Sequence, residues 1–337
     1  MNAHLTRLSR RRILLAALAA GTMLAATVGA ASARSSSTKL SLVAYSTPTD
    51  AYKELIRLFQ KTDAGKDITF STSFGSSGEQ AAAVQNGLPA DIVALSLAPD
   101  ITVLSQAGLV STRWNKDPFG GMVTNSVVVF VVRKGNPKGI KTWSDLIKPG
   151  VDVINANPFT SGGARWNVMA AYGAQIRNKK TPAQAQAYLK ALYQHISVQD
   201  KSARDSLNTF LSGKGDVLLA YENEAIQAQQ KGSPVDSVRP SSTILIENPI
   251  AVTKTSQHPA EAKAFIDFLR TDAAQDVFAK RGYRSIVPAI AKKWKATFPT
   301  SKFQFTIREI VKGGWPAAQK QFFDPDNGIV KRIQSGG

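Results

Sequence analysis

The sequence predicts an α/β fold in which a largely parallel sheet is flanked by helices. From residue 39 onward, strand-like stretches alternate with polar loops and helical stretches, and strands are expected at residues 39–45, 68–73 and 91–95. Two longer apolar stretches, residues 125–132 and 243–252, predict strands that cross between two domains. These patterns indicate two α/β lobes joined by crossover strands.

Helical spacing of apolar residues supports the same fold class. Tyr52, Leu55, Ile56 and Phe59 recur at the spacing of a helix that packs one face on a core. Between the two crossing strands the chain has its own set of predicted elements, and beyond residue 250 it is predicted to be mostly helical. The expected elements are strands at 151–154 and 216–220 and helices at 80–85, 163–176, 182–194, 259–270 and 273–281.

The crossing strands divide the chain into two expected lobes. Lobe I is discontinuous and comprises residues 39–125 and 248–330, and lobe II comprises residues 126–247. Each lobe is expected to hold a mixed, mainly parallel sheet flanked by helices. The crossing strands would form the hinge between them.

Residues 1–33 have the three parts of a signal peptide. Basic residues, among them Arg10–Arg12, precede an apolar stretch from Ile13 to about Gly29, and Ala31–Ala33 offers a small-residue cleavage site. We therefore expect export to the periplasm with cleavage near Ala33. The adjacent arginines suit a twin-arginine signal and a general secretory signal equally well. No later stretch approaches the ~20 apolar residues that a membrane-spanning helix needs.

The composition excludes every function that depends on cysteine, and the distribution of charge does not favour a protein that binds nucleic acid. The 337-residue chain has no cysteine, which removes disulfides, thiolate metal sites and cysteine nucleophiles. Its formal net charge is +18, and this allows an exported protein that binds nucleic acid or anionic envelope polymers. However, the basic residues are scattered, without a basic helix or block. We therefore expect a solvated basic surface, no nucleic-acid partner, and long-range attraction of small anions.

Three loops rich in serine and glycine each precede a predicted helix. They are Gly75–Gly78, Thr160–Arg165 and Ser202–Ser206. The start of a helix carries unpaired backbone N–H groups and a partial positive charge, and glycine lets an anion come close to the backbone. The loops therefore predict an anion site at the carboxyl ends of the strands. The alternative is that they are ordinary helix caps that bind nothing.

Two stretches of the chain form distinctive motifs: residues 157–167, Asn-Pro-Phe-Thr-Ser-Gly-Gly-Ala-Arg-Trp-Asn, and residues 73–80. On these motifs rests a resemblance to a known family, the bacterial periplasmic sulfate-binding proteins. It runs from about residue 40 to about residue 325, with further matching motifs at 133–138, 145–151, 215–224 and 313–315. The resemblance implies the two-lobed, type II periplasmic-binding-protein fold, whose lobes close on the ligand.

The resemblance also implies a set of ligand contacts. Arg204 would lie behind the site and bind loop carbonyls rather than the anion. This chain differs from the family pattern at Phe159, where lysine is usual, at Ser46, where aspartate is frequent, and at Tyr221, where tryptophan is usual. The contacts carried over are Ser46, Ser77, Ser161, Gly162, Gly163, Ala203 and Tyr221.

The implied function is that of a monomeric binding protein that hands sulfate to the membrane permease of an ABC importer. Thiosulfate, molybdate and an organic sulfonate remain alternative ligands of the same fold. We expect no cofactor, no metal and no enzymatic activity. The chain has no Gly-x-Ser-x-Gly motif and no phosphate-binding P-loop, and Glu222 and Glu224 lie at a spacing that does not share a helix face.

Overall fold

The computed structural model describes residues 37–336, so the predicted signal peptide, residues 1–33, lies outside the described part. Strands and helices alternate along most of the chain. The strands are β1 (Thr38–Tyr45), β2 (Ile68–Gly75), β3 (Ile92–Ala94), β4 (Met122–Arg133), β5 (Val153–Ala156), β6 (Ile196–Asp200), β7 (Val217–Tyr221), β8 (Val235–Val238), β9 (Ser242–Val252) and β10 (Phe303–Phe305).

The helices are α1 (Thr49–Phe59), α2 (Ser77–Gln85), α3 (Ala98–Gln106), α4 (Gly162–Arg177), α5 (Pro182–Gln194), α6 (Ala203–Leu211), α7 (Glu222–Gln230), α8 (Pro259–Leu269), α9 (Asp272–Lys280), α10 (Pro288–Lys293), α11 (Ile307–Ile310), α12 (Gly314–Phe322) and α13 (Ile329–Gln334). The helices predicted at 163–176, 182–194, 259–270 and 273–281 are present within one or two residues as α4, α5, α8 and α9, whereas α3 and α7 were not predicted.

The strands form two parallel groups on either side of a central antiparallel pair. The strand order is β2-β1-β3-β9-β4-β7-β5-β6. β1 runs parallel to β2 and β3, and β5 runs parallel to β6 and β7. Each group is thus an α/β arrangement in which all carboxyl ends lie at one edge.

The central pair, β4 and β9, changes partners along its length. On β4, the first half pairs with β9, whereas Val128–Arg133 pairs with β7 and β8. On β9, the part beyond residue 249 pairs with β3 of the first group. Both strands therefore pass from one group to the other, as expected of crossover strands.

Two large apolar clusters lie on the two parallel groups. The predicted core face of α1 is buried, with Tyr52 and Phe59 packed among aromatic rings of α8 and α9. The other cluster is built on α4, where Trp166 is fully buried and its ring lies 4.7 Å from that of Trp315. Within residues 37–336, no helix is long and apolar enough to cross a membrane.

A buried carboxylate joins three distant segments of the chain. Glu222, the first residue of α7, forms ion pairs with Arg239 and with Arg284, whose Nε donates to Glu222 Oε2 at 2.7 Å. The backbone of Arg284 in turn pairs with Asn125 of β4. This cluster therefore links α7 to the crossover region. Glu222 is paired with two arginines and is not paired with Glu224.

Candidate functional site

The three serine- and glycine-rich loops meet at Thr160. The N–H of Gly78, in the first turn of α2, donates to the Thr160 carbonyl at 3.0 Å. Thr160 Oγ1 donates to the carbonyl of Lys201, which lies just before α6, at 2.7 Å. One threonine thus ties the first loop to the second and the second to the third.

Helix starts at these loops leave backbone donors without a partner. Ser161 and Ser202 cap α4 and α6 by accepting from the N–H groups of Ala164 and Asp205. These caps satisfy the third helical N–H and leave the first ones free. In the described part of the chain, no protein acceptor takes the backbone N–H groups of Ser77, Gly162, Gly163 and Ala203.

The two adjacent glycines have no room for a side chain. A methyl group on Gly162 would lie 2.2 Å from Leu97 Cδ2 and 2.6 Å from Ser96 Oγ. On Gly163 it would lie 2.8 Å from Tyr221 Cε2 and 3.2 Å from Ala203 Cβ. Glycine is therefore required at both positions by close packing, and this packing brings Tyr221 and Ala203 to the start of α4.

Ser96, which sequence reasoning missed, contacts several predicted site residues. It follows β3, and its N–H donates to Ser77 Oγ at 2.9 Å. Its carbonyl accepts from Trp166 Nε1 at 2.9 Å and from Asn248 Nδ2 at 3.0 Å. The available signal was its position directly after a predicted buried strand, where ligand-binding loops of α/β folds begin.

Asp100 and Arg165 fix the first loop to the second. Ser77 Oγ donates to Asp100 Oδ2 at 2.6 Å, and Arg165 Nη1 donates to Asp100 Oδ1 at 3.1 Å. Burial raises the pKa of the Asp100 carboxyl above its usual value, while Arg165 and Ser77 oppose that rise. Arg165 Nε also donates to the Pro158 carbonyl, so this ion pair holds the turn that precedes α4.

Tyr221 ends β7 and reaches across to Ser96. Its Oη lies 2.5 Å from Ser96 Oγ, and both side chains are buried. Burial raises the pKa of the Tyr221 phenol well above its ordinary value, so the hydroxyl remains protonated at neutral pH. Tyr221 therefore lies at the site as a neutral side chain with one O–H group.

Ser46 and Arg204 lie at the junction of β1 and α6. Ser46 directly follows β1, and its carbonyl accepts from Thr49 Oγ1 at 2.8 Å. The next residue, Thr47, accepts on its carbonyl a bond from Arg204 Nη2 at 3.0 Å. Arg204 also pairs with buried Glu224, at 2.6 Å, where burial raises the pKa of the carboxyl and the guanidinium opposes the rise.

The charges around the loops are therefore paired with one another. Asp100 with Arg165 and Glu224 with Arg204 are buried or half-buried pairs, and Lys201 with Glu79 forms an exposed pair at 2.9 Å. The free donors are neutral: backbone N–H groups and hydroxyls. Phe159, where the family resemblance leads one to expect lysine, is half-buried and packs on the α4 cluster, so it adds no charge.

This arrangement suits the binding of a small anion. Among residues 37–336 there is no group of three His, Cys, Asp or Glu side chains placed to hold a metal. Two surface concavities of about 540 Å³ and 680 Å³ lie beside Tyr193 and beside Trp114, and the lining of neither includes a residue whose backbone N–H is one of the free donors at the loops. The three linked helix starts therefore form the best candidate for a binding site.

Comparison with known proteins agrees with this geometry. A family profile described as "Bacterial extracellular solute-binding protein" matches residues 40–284. A sulfate-binding protein of Synechococcus elongatus is 42% identical, covering 88% of this chain and 86% of the relative. A thiosulfate-binding protein of Pseudomonas aeruginosa is 34% identical, covering 94% of this chain and 98% of the relative.

A solved structure extends the likeness to three dimensions. The sulfate-binding protein of Mycobacterium tuberculosis H37Rv superposes with a TM-score of 0.82 at 39% identity, covering 85% of this chain and all of that one. The match confirms the predicted α/β fold class of the two-lobed periplasmic binding proteins. These relatives are named as binding proteins rather than enzymes. The chain belongs to the family of bacterial extracellular solute-binding proteins.

Proposed function

We propose that this protein captures sulfate outside the cytoplasm and delivers it to the membrane permease of an ABC importer. The observation that supports the proposal is that three helix starts with unpaired N–H groups are linked together through Thr160. Helix N-termini favour negative charge, and several that point to one place replace much of an anion's hydration. The names of the sulfate-binding relatives support sulfate as the ligand.

The proposed contacts are those at the three loops, β1 and β7. Donors would come from backbone N–H groups, the Ser161 hydroxyl and the Tyr221 hydroxyl. Arg204 would remain behind Ala203, because its guanidinium is already taken by Glu224 and the Thr47 carbonyl. The residues proposed to contact the anion are Ser46, Ser77, Ser161, Gly162, Gly163, Ala203 and Tyr221.

A site in which donors outnumber acceptors favours sulfate over hydrogen phosphate. Sulfate carries no proton at neutral pH, so every oxygen can accept. Hydrogen phosphate brings an O–H that needs an acceptor, and a buried polar group without a partner costs about 1–3 kcal/mol. The carboxylates in and around the loops already accept hydrogen bonds from arginine, lysine or serine side chains; they are Glu79, Asp100, Asp205 and Glu224. They are thus poor acceptors for such a proton.

Calorimetric titration tests this function. We expect sulfate to bind more tightly than thiosulfate, molybdate and phosphate, and a hundredfold excess of sulfate over its Kd to raise the free energy of unfolding by about 2.7 kcal/mol. Tightest binding of phosphate would overturn the assignment. Thiosulfate is the second candidate, because a thiosulfate-binding protein is among the relatives that cover nearly the whole chain. Tighter binding of thiosulfate than of sulfate would select it.

Closure of two lobes would trap the anion. Lobe I would comprise residues 39–125 and 248–330 and lobe II residues 126–247, with a hinge in β4 and β9. Three contacts described above would join the lobes in the closed form: Gly78 with Thr160, Asp100 with Arg165, and Thr47 with Arg204. We further propose that the protein acts as a periplasmic monomer after cleavage near Ala33.

Small-angle scattering tests the closure. The radius of gyration is expected to fall when sulfate is added, because hinge closure brings the lobes together. Chloride at equal ionic strength is the control. A radius that sulfate leaves unchanged, while calorimetry records binding, would show that the site is rigid and that the proposed hinge does not operate.

A further inference from the structure

Two buried hydroxyls lie against the paired glycines of the candidate site. Ser96 Oγ and Tyr221 Oη are 2.5 Å apart. The positions that methyl groups would take on Gly162 and Gly163 lie 2.6 Å from Ser96 Oγ and 2.8 Å from Tyr221 Cε2. The hydroxyl pair therefore lies beside the two residues whose N–H groups are the free donors at the start of α4.

The hydrogen-bond capacity of this pair differs from that of the other groups. A backbone N–H can only donate, whereas a hydroxyl donates one proton and also accepts. Either oxygen can be the donor in the bond between Ser96 and Tyr221. When Ser96 donates to Tyr221, the Tyr221 proton is free for an anion. When Tyr221 donates to Ser96, a lone pair on Tyr221 Oη is free to accept.

Surrounding groups hold Ser96 in place through its backbone, and the amide of Asn248 also lies close to the Tyr221 hydroxyl. Trp166 and Asn248 donate to the carbonyl of Ser96, and the N–H of Ser96 is taken by Ser77 Oγ. The backbone of Ser96 is thus fixed on both sides. Reversal of the bond between the two hydroxyls requires rotation of two hydrogens and no movement of heavy atoms.

We propose that the Ser96–Tyr221 pair determines which protonation states of a tetrahedral dianion the site accepts. It serves as a donor to an unprotonated dianion and as an acceptor for the O–H of a singly protonated one. The site would then discriminate against protonated oxyanions less strongly than a pocket of donors alone. This inference rests on the proposed function, because it assumes that the anion lies at these loops.

Arsenate and selenate are suitable probes, because they are tetrahedral and similar in size. At mildly alkaline pH both are dianions, but only arsenate carries a proton. The measured quantity is the ratio of the arsenate Kd to the selenate Kd, obtained by calorimetry. We expect Tyr221→Phe to raise this ratio at least about tenfold, because the arsenate O–H loses its acceptor while selenate loses only one of many donors.

A second variant and a control test whether the change in the Kd ratio is specific to the hydroxyl pair. Ser96→Ala is also expected to raise the ratio, because the Tyr221 proton lacks an acceptor when Tyr221 Oη accepts. Tyr172→Phe alters a buried tyrosine that packs on Phe322, far along α4 from its start, and should leave the ratio unchanged. Thermal unfolding with and without selenate shows that each variant is folded and binding.

The outcomes separate this inference from the proposed function. A raised ratio in both Tyr221→Phe and Ser96→Ala supports the role of the pair. An unchanged ratio in both variants, with selenate still bound, overturns the inference and leaves the anion-binding function intact. A wild-type protein that binds neither sulfate nor selenate overturns both.

Discussion

Gly162→Ala is expected to weaken sulfate binding by at least about a hundredfold. The added methyl group would lie 2.2 Å from Leu97 Cδ2 and 2.6 Å from Ser96 Cβ, so the start of α4 must shift. Such a shift would turn the N–H groups of Gly162 and Gly163 away from the proposed position of the anion. A hydrogen bond to a charged group contributes roughly 1.5–3 kcal/mol, so poor alignment of two of them accounts for the loss.

Overpacking also destabilises a fold, and the experiment must separate this effect from the loss of binding. Gly173→Ala is a matched control in the same helix, because its methyl group would lie 2.3 Å from Phe305 Cε2, well away from the loops. Both variants should melt at lower temperature than the wild type. Calorimetry below the melting range should show weakened sulfate binding for Gly162→Ala alone. Equal affinities for the two variants would contradict the placement of the anion at α4.

Glu222→Gln is expected to lower the free energy of unfolding by about 3–5 kcal/mol. The Glu222 side chain is 3% exposed and is shared by Arg239 and Arg284. Loss of its charge leaves two guanidinium groups close together without their carboxylate, and Arg284 is largely shielded from water. Because Arg284 is tied to β4 through Asn125, the effect should include weaker coupling of α7 to the crossover strands. Urea unfolding measures the change.

Glu54→Gln provides the comparison for an exposed pair. Glu54 also accepts two bonds from an arginine, Arg281, but their side chains are 32% and 36% exposed. The expected loss is below about 1 kcal/mol, because solvent screens such pairs. If the two glutamine variants lose equal stability, the buried carboxylate is not the structural centre that its burial indicates.

The sequence was most informative where the spacing of apolar residues or the composition of a loop gave a clear local signal. The pattern around Tyr52 and Phe59 predicted α1 and its buried face, and the Thr160–Arg165 loop predicted the start of α4. These signals are local, so they can be recognised without knowing the fold. Helix α5 likewise begins at the proline and ends at the residue that the pattern indicated.

Elements that bury polar residues, or that have few apolar ones, were not predicted. Helix α7 buries Glu222, Glu224 and Gln227, so its core face reads as polar in the sequence. The two buried carboxylates are neutralised by arginines from other segments of the chain, namely Arg204, Arg239 and Arg284. Strand β6 was missed because its five residues include few apolar ones.

The candidate site shows the same limit. The loops could be identified singly, but Ser96 and Asp100 contact them only after β3, α3 and α4 have packed together. A serine after a strand and an aspartate in a helix are common, and neither attracts notice alone. Their partners, Ser77 and Trp166, are distant in sequence. Such contacts depend on the tertiary structure, and the spacing of apolar residues in the sequence does not predict them.

The partner change of β4 and β9 has a consequence for how the chain folds. β3 lies at the boundary of its parallel group until β9 is synthesised, because its neighbour on that side is the segment beyond residue 249. The N-terminal half of the polypeptide thus leaves the ribosome with an unfilled edge that can pair with other chains. Contacts this remote in sequence slow acquisition of the native state. We expect that a chain truncated before β9 would aggregate rather than form an autonomous first lobe.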